Sequence, residues 1–331
     1  LTISLEKSNK MNQNQLTHAH SRCGKIRHIT AHDADEHAHN LTNWQQEYDQ
    51  VSPGAFEGSI KELQLNGIQV FKEFTSQSVF QKCNVWSDSL WIGLPESKPE
   101  QSRINGHHLQ SHQVMCRPGD IDFSLMTPSQ FNIFGIVIDQ SLLSNIEDSD
   151  YSSAQQFSLS ECISLKAKTY NNLHYLLQRL LMHPHDGIPE KVCHDLLLLA
   201  LHDVLTPESV NCLPPTSLKR RNQIVDLTLH YLKQHHDEPV TVTELCTLAC
   251  VSRRTLQYSF ESVLGISPAH FLRISRLNGA RRSLRQATEQ DCIADVAAQW
   301  GFWHLSQFAK DYKQLFGELP SETKHLYSTV N

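Results

Sequence analysis

The stretch that decides the fold runs from Val240 to Pro268. It reads Val240-Thr241-Val242-Thr243-Glu244-Leu245, then Leu248-Ala249-Cys250-Val251-Ser252-Arg253-Arg254-Thr255-Leu256-Gln257-Tyr258, and then Phe260 through Val263-Leu264-Gly265-Ile266-Ser267-Pro268. Thr241 and Glu244 have capping-box spacing: the hydroxyl accepts from an orphan helical N–H while the carboxylate reaches back to the cap N–H. A helix therefore starts near Thr241, with Leu245, Leu248 and Ala249 as its apolar stripe. Cys250-Val251-Ser252 is a short break, and Ser252 caps a second helix whose inward positions are Leu256, Phe260, Val263 and Leu264. Gly265 ends that helix and Pro268 opens the next. Arg253, Arg254, Thr255, Gln257, Tyr258 and Glu261 are left facing outward.

A second unit repeats the pattern. Ile293, Val296 and Ala297 form one short apolar helix, Gly301-Phe302 form the turn, and Leu305, Phe308, Tyr312 and Phe316 recur at helical spacing. Both units end alike, on Leu264-Gly265-Ile266-Ser267-Pro268 and on Phe316-Gly317-Glu318-Leu319-Pro320. Short amphipathic helix pairs occur in any bundle. A duplication about 50 residues apart, with basic and amide side chains on the outward face of each second helix, points instead to two helix-turn-helix units. One chain carrying both can read two major-groove segments of DNA. In the first unit Arg254 suits guanine O6/N7 and Gln257 suits adenine N6/N7, with Tyr258, Thr255, Ser252 and Arg253 beside them. In the second the candidates are His304, Leu305, Ser306, Gln307, Lys310 and Lys313; their weaker base-reading chemistry assigns Lys310 and Lys313 to phosphates.

About a third of the chain, Arg221 to Lys324, resembles the AraC/XylS family of transcriptional regulators. The resemblance rests on Ser252-Arg253-Arg254-Thr255-Leu256, Phe260, Gly265-Ile266-Ser267-Pro268, Arg276-Leu277-Asn278-Gly279-Ala280-Arg281, Ile293-Ala294-Asp295-Val296-Ala297, Gly301-Phe302, Phe308, Tyr312-Lys313, Phe316-Gly317 and Pro320. Two positions depart from the family pattern. Gly279 interrupts the helix that links the two units, where a glycine costs about 0.5–1 kcal/mol relative to alanine and is expected to soften it. Glu322-Thr323 stands where the family has an aromatic and a basic residue. More narrowly, Leu41 to Gln50, Gly67 to Phe74 and Gln299 to Ala309 resemble the family's activators of ethanolamine utilisation. That likeness is poor through residues 98–215; it implies ethanolamine and adenosylcobalamin as effectors, and the family implies RNA polymerase as a partner.

The whole chain of 331 residues carries a formal charge of −6, which by itself argues against a nucleic-acid partner. The charge is uneven, however. From Leu218 to Asn331 there are 14 Lys and Arg against 11 Asp and Glu, leaving 15 against 24 upstream. The longest apolar run, Leu196 to Leu201, is far too short to span a bilayer. No secretory signal is recognisable, and the nine cysteines form no C-x-x-C pair, so a reducing, cytoplasmic compartment is expected.

Residues 1–40 are polar and read as a flexible tail. Their histidines, including His32, His37 and His39, match no closed metal site. Residues 41–212 read as an effector domain, 213–218 as a proline-stiffened linker and 219–331 as the DNA-binding domain, giving an α+β fold. Ile60, Leu63 and Leu65 and then Ile68, Val70, Phe71 and Phe74 flank Asn66-Gly67, a strong hairpin signal. Trp86 to Leu94, Gln113 to Arg117 and Asn132 to Ile138 are further strands, together consistent with a small β-barrel; the resemblance implies a cupin-like one. After Ser160 two leucine-rich helices follow. They are suited either to a homodimer interface or to covering the barrel.

A small cationic effector needs an aromatic face and a carboxylate; Phe71, Trp86 and Trp91 with Glu73 are the candidates, and Asp88 is the other nearby acid. A metal-dependent cupin enzyme is the alternative, since His107, His108 and His112 lie on the strand side. Yet they lack a glutamate at suitable spacing, and no G-x-S-x-G, phosphate loop or corrinoid-binding pattern is present. Binding, not catalysis, is the expectation.

Overall fold

The computed structural model describes residues 25–97, 99–143, 161–182, 188–205, 210–211, 216–235 and 240–328. His18, His20, the helix break at 183–187 and the linker prolines lie outside them. Thirteen strands are described: β1 (Arg27–Ala31), β2 (Gln45–Gln50), β3 (Gly58–Leu65), β4 (Ile68–Thr75), β5 (Val79–Asn84), β6 (Ser89–Pro95), β7 (Arg103–Ile104), β8 (His107–His108), β9 (Gln113–Pro118), β10 (Phe123–Thr127), β11 (Phe131–Asp139), β12 (Cys162–Ser164) and β13 (Val210–Asn211). They pair antiparallel in two sheets, ordered β1-β3-β4-β11-β6-β9-β12-β13 and β2-β5-β10-β7-β8. Gly67 takes φ 71° in the β3–β4 hairpin, the left-handed conformation that the Asn-Gly pair signals.

Alternation along the strands builds two cores. Tyr48, Ile60, Phe71, Trp91, Phe123 and Val137 meet between the sheets. The opposite face of the larger sheet, with Leu63, Val70, Ile92 and Ile136, is covered by helices α3 (Ala167–Met182) and α4 (Glu190–Val204), which follow α1 (Ala34–Ala38) and α2 (Gln140–Leu143) in the chain. Leu173, Leu177, Leu180, Leu181, Leu197 and Leu201 face the sheet, whereas Tyr175, Val192, Leu196 and Leu199 face away from it. The leucines thus divide between two ridges, and one ridge covers the larger sheet.

Residues 27–40 are not a tail. β1 pairs with β3, and α1 is capped by Asp33, whose side chain accepts from Glu36 N–H. His37 is fully buried, with Nε2 3.0 Å from Glu73 Oε1. Polar composition misled here because the polar groups find partners inside the protein: α1 is held by hydrogen bonds and ion pairs, a form of burial that hydropathy does not register.

The C-terminal region is all helical: α5 (Thr216–Gln234), α6 (Val242–Leu248), α7 (Arg253–Val263), α8 (Pro268–Gln286), α9 (Ile293–Gln299), α10 (Leu305–Phe316) and α11 (Pro320–Ser328). Residues 216–218, expected in the linker, already belong to α5. The helix α8 serves both halves, giving Phe271 and Leu272 to one core and Leu277, Ala280 and Leu284 to the other. It is unbroken at Gly279, contrary to the expected soft point. A Cβ there would lie 2.2 Å from the Trp300 ring, whose Nε1 donates to Ser283 Oγ at 3.0 Å. The glycine admits the indole. Gly279→Ala is therefore expected to lower the melting temperature: overpacking costs about 1–3 kcal/mol and outweighs the roughly 1 kcal/mol of helix propensity gained. A thermal melt showing Gly279→Ala more stable than wild type would restore the soft-helix reading.

The two regions are joined through α8. Asn278 pairs its amide with both backbone groups of Gln50, accepting from Gln50 N at 2.9 Å and donating to Gln50 O at 3.0 Å. Because β2 is an edge strand, Asn278 occupies hydrogen-bonding positions that a further strand would take. Arg281 and Arg285 both bind Asp33, and Arg282 donates to Asp49 at 2.9 Å. Phe80 meets Phe271 edge-on at 5.5 Å.

Candidate nucleic-acid interface

In the first unit the capping box forms as the spacing requires: Thr241 Oγ1 accepts from Glu244 N, and Glu244 Oε2 accepts from Thr241 N at 2.6 Å. Those bonds from Thr241 hold the Glu244 carboxyl below its usual pKa. Cys250 takes φ 51° in the turn, and Ser252 caps α7 by accepting from Thr255 N. Leu256, Phe260, Val263 and Leu264 are buried, which leaves Ser252, Arg253, Arg254, Thr255, Gln257 and Tyr258 exposed on one side. Arg254 lies over the Tyr258 ring, 5.4 Å from its centroid, and Gln257 donates to Glu261 at 3.0 Å. These side chains are held by weak surface contacts that a base edge can replace.

The second unit has Gly301 at φ 76° in its turn and Gly317 at φ 80° after α10. Phe308, Tyr312, Leu315 and Phe316 are buried, while His304, Leu305, Ser306, Gln307, Lys310 and Lys313 are exposed. Gln307 is less free than its sequence position implies, because its amide donates to Asp311 at 2.7 Å and Asp311 also pairs with Arg273 of α8. The departure at Glu322-Thr323 also has a local role. Glu322 accepts from Leu319 N at the start of α11, and buried Thr323 meets Tyr312 Oη at 2.8 Å. Trp303, 74% exposed and just before the α10 cap, lies outside the expected set.

Lys310→Ala is expected to weaken binding to all DNA sequences alike and to reduce the slope of log K against log salt by about one. A loss confined to one sequence with an unchanged slope would move Lys310 among the base readers.

The family-model match falls on this region. A family model described as "Helix-turn-helix domain" matches residues 245–325. The "XylDLEGF operon transcriptional activator 2" of Pseudomonas putida is 32% identical over 107 residues, covering 32% of this chain and 68% of that protein. A solved structure of "a probable AraC family transcriptional regulator" from Rhodopseudomonas palustris is 31% identical, covering 32% of this chain and 97% of that one, with a TM-score of 0.29.

The chain belongs to the AraC family. The "Probable thc operon regulatory protein" of Rhodococcus erythropolis is also similar, 35% identical over 150 residues, 44% of this chain. The chain covers only 43% of that relative's length. The family model's match, residues 245–325, spans the second helix of the first unit and the whole of the second unit.

Elsewhere, the three strand-side histidines go separate ways. His107 Nε2 lies 3.5 Å from Glu161, His108 Nε2 accepts from Arg103, and the His112 ring packs on Tyr170. Among the described residues no group of three His, Cys, Asp or Glu is arranged to hold a metal ion. No helix among them is long and apolar enough to cross a membrane. Phe71, Trp91 and, at its edge, Trp86 join the core between the sheets, where Trp91 stacks on Phe123 at 4.8 Å and Trp44 meets both Phe71 and Trp91 edge-on. Glu73 is buried, and its Oε1 accepts from Tyr48 Oη at 2.9 Å. Burial, reinforced by that carboxylate, pushes the Tyr48 pKa well up.

Proposed function

We propose that the chain is a sequence-specific DNA-binding transcription regulator, an activator that places α7 and α10 in successive major-groove segments and works with RNA polymerase. The observation that carries this reading is the paired construction itself. Two helix-turn-helix units each bury their apolar side and expose a row of polar side chains, and the single helix α8 holds them together. Selection from a random duplex pool by the purified chain, followed by footprinting, tests it. Two protected segments about one helical turn apart are expected, and failure to enrich any sequence sinks the reading.

The finer proposal is a small-molecule effector bound between the sheets, with ethanolamine as the candidate and adenosylcobalamin as a second effector, both suggested by the segments that resemble ethanolamine-utilisation activators. Its support is the convergence of Phe71 and Trp91, with Trp86 at the margin, near buried Glu73. Trp91 Nε1 is buried and has no acceptor among the described residues. An ammonium over an aromatic face gains about 2 kcal/mol when desolvated, so calorimetry is expected to show ethanolamine affinity falling roughly thirty-fold in folded Trp91→Ala and strongly in Glu73→Gln. Equal affinity in both variants removes the site; no binding by wild type removes the effector. The outward ridge of Tyr175, Val192, Leu196 and Leu199 supports a homodimer through α3 and α4.

A further inference from the structure

The two turns differ by one residue. Between the left-handed residue and the helix cap the first unit has only Val251, set between Cys250 and Ser252, whereas the second has Phe302 and Trp303, set between Gly301 and His304. Val251 and Phe302 correspond: each is partly buried and packs on its own unit's core. Trp303 is the extra residue, and it stands outside the core of its unit. It is 74% exposed, and Leu305, the first residue of α10, is 48% exposed. Tryptophan is highly buried on average, so an indole standing out from a short turn is a feature in need of an occupant.

The turn that carries it is held by packing and by backbone hydrogen bonds. Phe302 packs on Phe308 with ring centroids 5.0 Å apart, Phe302 N donates to Ala297 O at 2.8 Å, and Gly301 N donates to Ala298 O at 2.9 Å. The indole is thus presented from a hydrogen-bonded turn at the N-terminal end of α10, the end of a recognition helix that meets base edges. Exposed Ser306, Lys310 and Lys313 continue the same surface along α10. The apolar feature of a major groove is the thymine C5-methyl, and contact with it needs no hydrogen-bonding partner.

We propose that Trp303 and Leu305 form an apolar reading head for thymine methyl groups in the DNA segment facing the second unit. This rests on the DNA-binding reading above. It adds sequence discrimination to α10, whose Gln307 donates to an Asp311 that Arg273 also holds. The two units then read DNA by different chemistry, hydrogen bonds in the first and methyl contacts in the second.

The test uses the full chain and the duplex it selects. Each thymine of the second segment is replaced singly by uracil, which lacks only the methyl. At one or more positions wild type is expected to lose about four-fold in affinity, the factor that burial of one CH2-sized group gives. Trp303→Ala is expected to bind the thymine duplex more weakly and to treat thymine and uracil alike at that position, while Trp303→Phe keeps part of the difference. Both substitutions fall on an exposed side chain, and thermal melts check that the variants are folded. Trp303→Ala protein that still discriminates thymine from uracil as wild type does would overturn the proposal. So would reduced transcription with unchanged DNA affinity, which would assign Trp303 to a protein contact. A chain that enriches no sequence at all overturns the regulator reading and this proposal together.

Discussion

Asp33→Ala is expected to destabilise the folded chain by about 3–5 kcal/mol, the range for removing one partner of a buried ion pair. The Asp33 side chain is 1% exposed and binds two guanidiniums at once, those of Arg281 and Arg285 on α8. Both arginines are largely buried and would be left with partial compensation, Arg281 from Glu318, Arg285 from Asp35 and Glu36. Asp33 also caps α1, and loss of a cap alone costs about 1 kcal/mol. Asp33→Ser separates the two contributions, since serine caps comparably but carries no charge. A serine variant as stable as wild type in thermal melts would show that the arginines gain nothing from Asp33. The pH dependence has a definite sign. Burial alone would push the Asp33 carboxyl up, but Arg281 and Arg285 outweigh it and hold the pKa below the ordinary 3.8. For a depressed folded pKa the stabilisation is complete above the unfolded value and lost as pH falls through the folded one. The gap between wild type and Asp33→Ala is therefore expected to stay constant from about pH 5 to 7 and to close only in stronger acid.

Arg254→Ala is expected to weaken binding to the selected duplex by about 1–3 kcal/mol, roughly five- to 150-fold in Kd, and to relax preference at a single base pair. The side chain is exposed, with Nη2 3.3 Å from Tyr258 Oη and its guanidinium over that ring, so part of the cost of ordering it is already met before DNA arrives. Lysine does not restore the loss, because a point charge lacks the planar fork that meets guanine O6 and N7 together. Titrations on the selected duplex and on a scrambled one, at one salt concentration, decide the matter. Equal losses on both would make Arg254 a phosphate contact and leave base reading to Gln257 and Tyr258.

Much of the DNA-facing half was legible from residues alone, because its determinants are local. Thr241 and Glu244 are three positions apart and satisfy each other within one turn. Gly265 and Gly317 mark helix ends by a conformation few other residues accept, and Leu256, Phe260, Phe308 and Tyr312 follow helical periodicity. The β3–β4 hairpin was legible for the same reason. Trp303 was not among the expected DNA-facing residues, because periodicity identifies what turns inward and is silent about an added residue in a turn.

By itself, then, the sequence determined the duplicated helix-turn-helix units, the strand-rich region before them and the residues that each helix turns outward. Tertiary structure alone decided that residues 27–40 belong to the folded body, that Gly279 makes room for Trp300, and that Asn278 and three arginines of α8 grip β2 and the cap of α1. The physical reason is range. A helix cap, a turn or an apolar stripe is satisfied by neighbours a few positions away, and its pattern is written in the chain. The partners of Asp33, Gln50 and Gly279 are chosen by packing: Asp33 and Arg281 stand 248 positions apart, and no periodicity connects them.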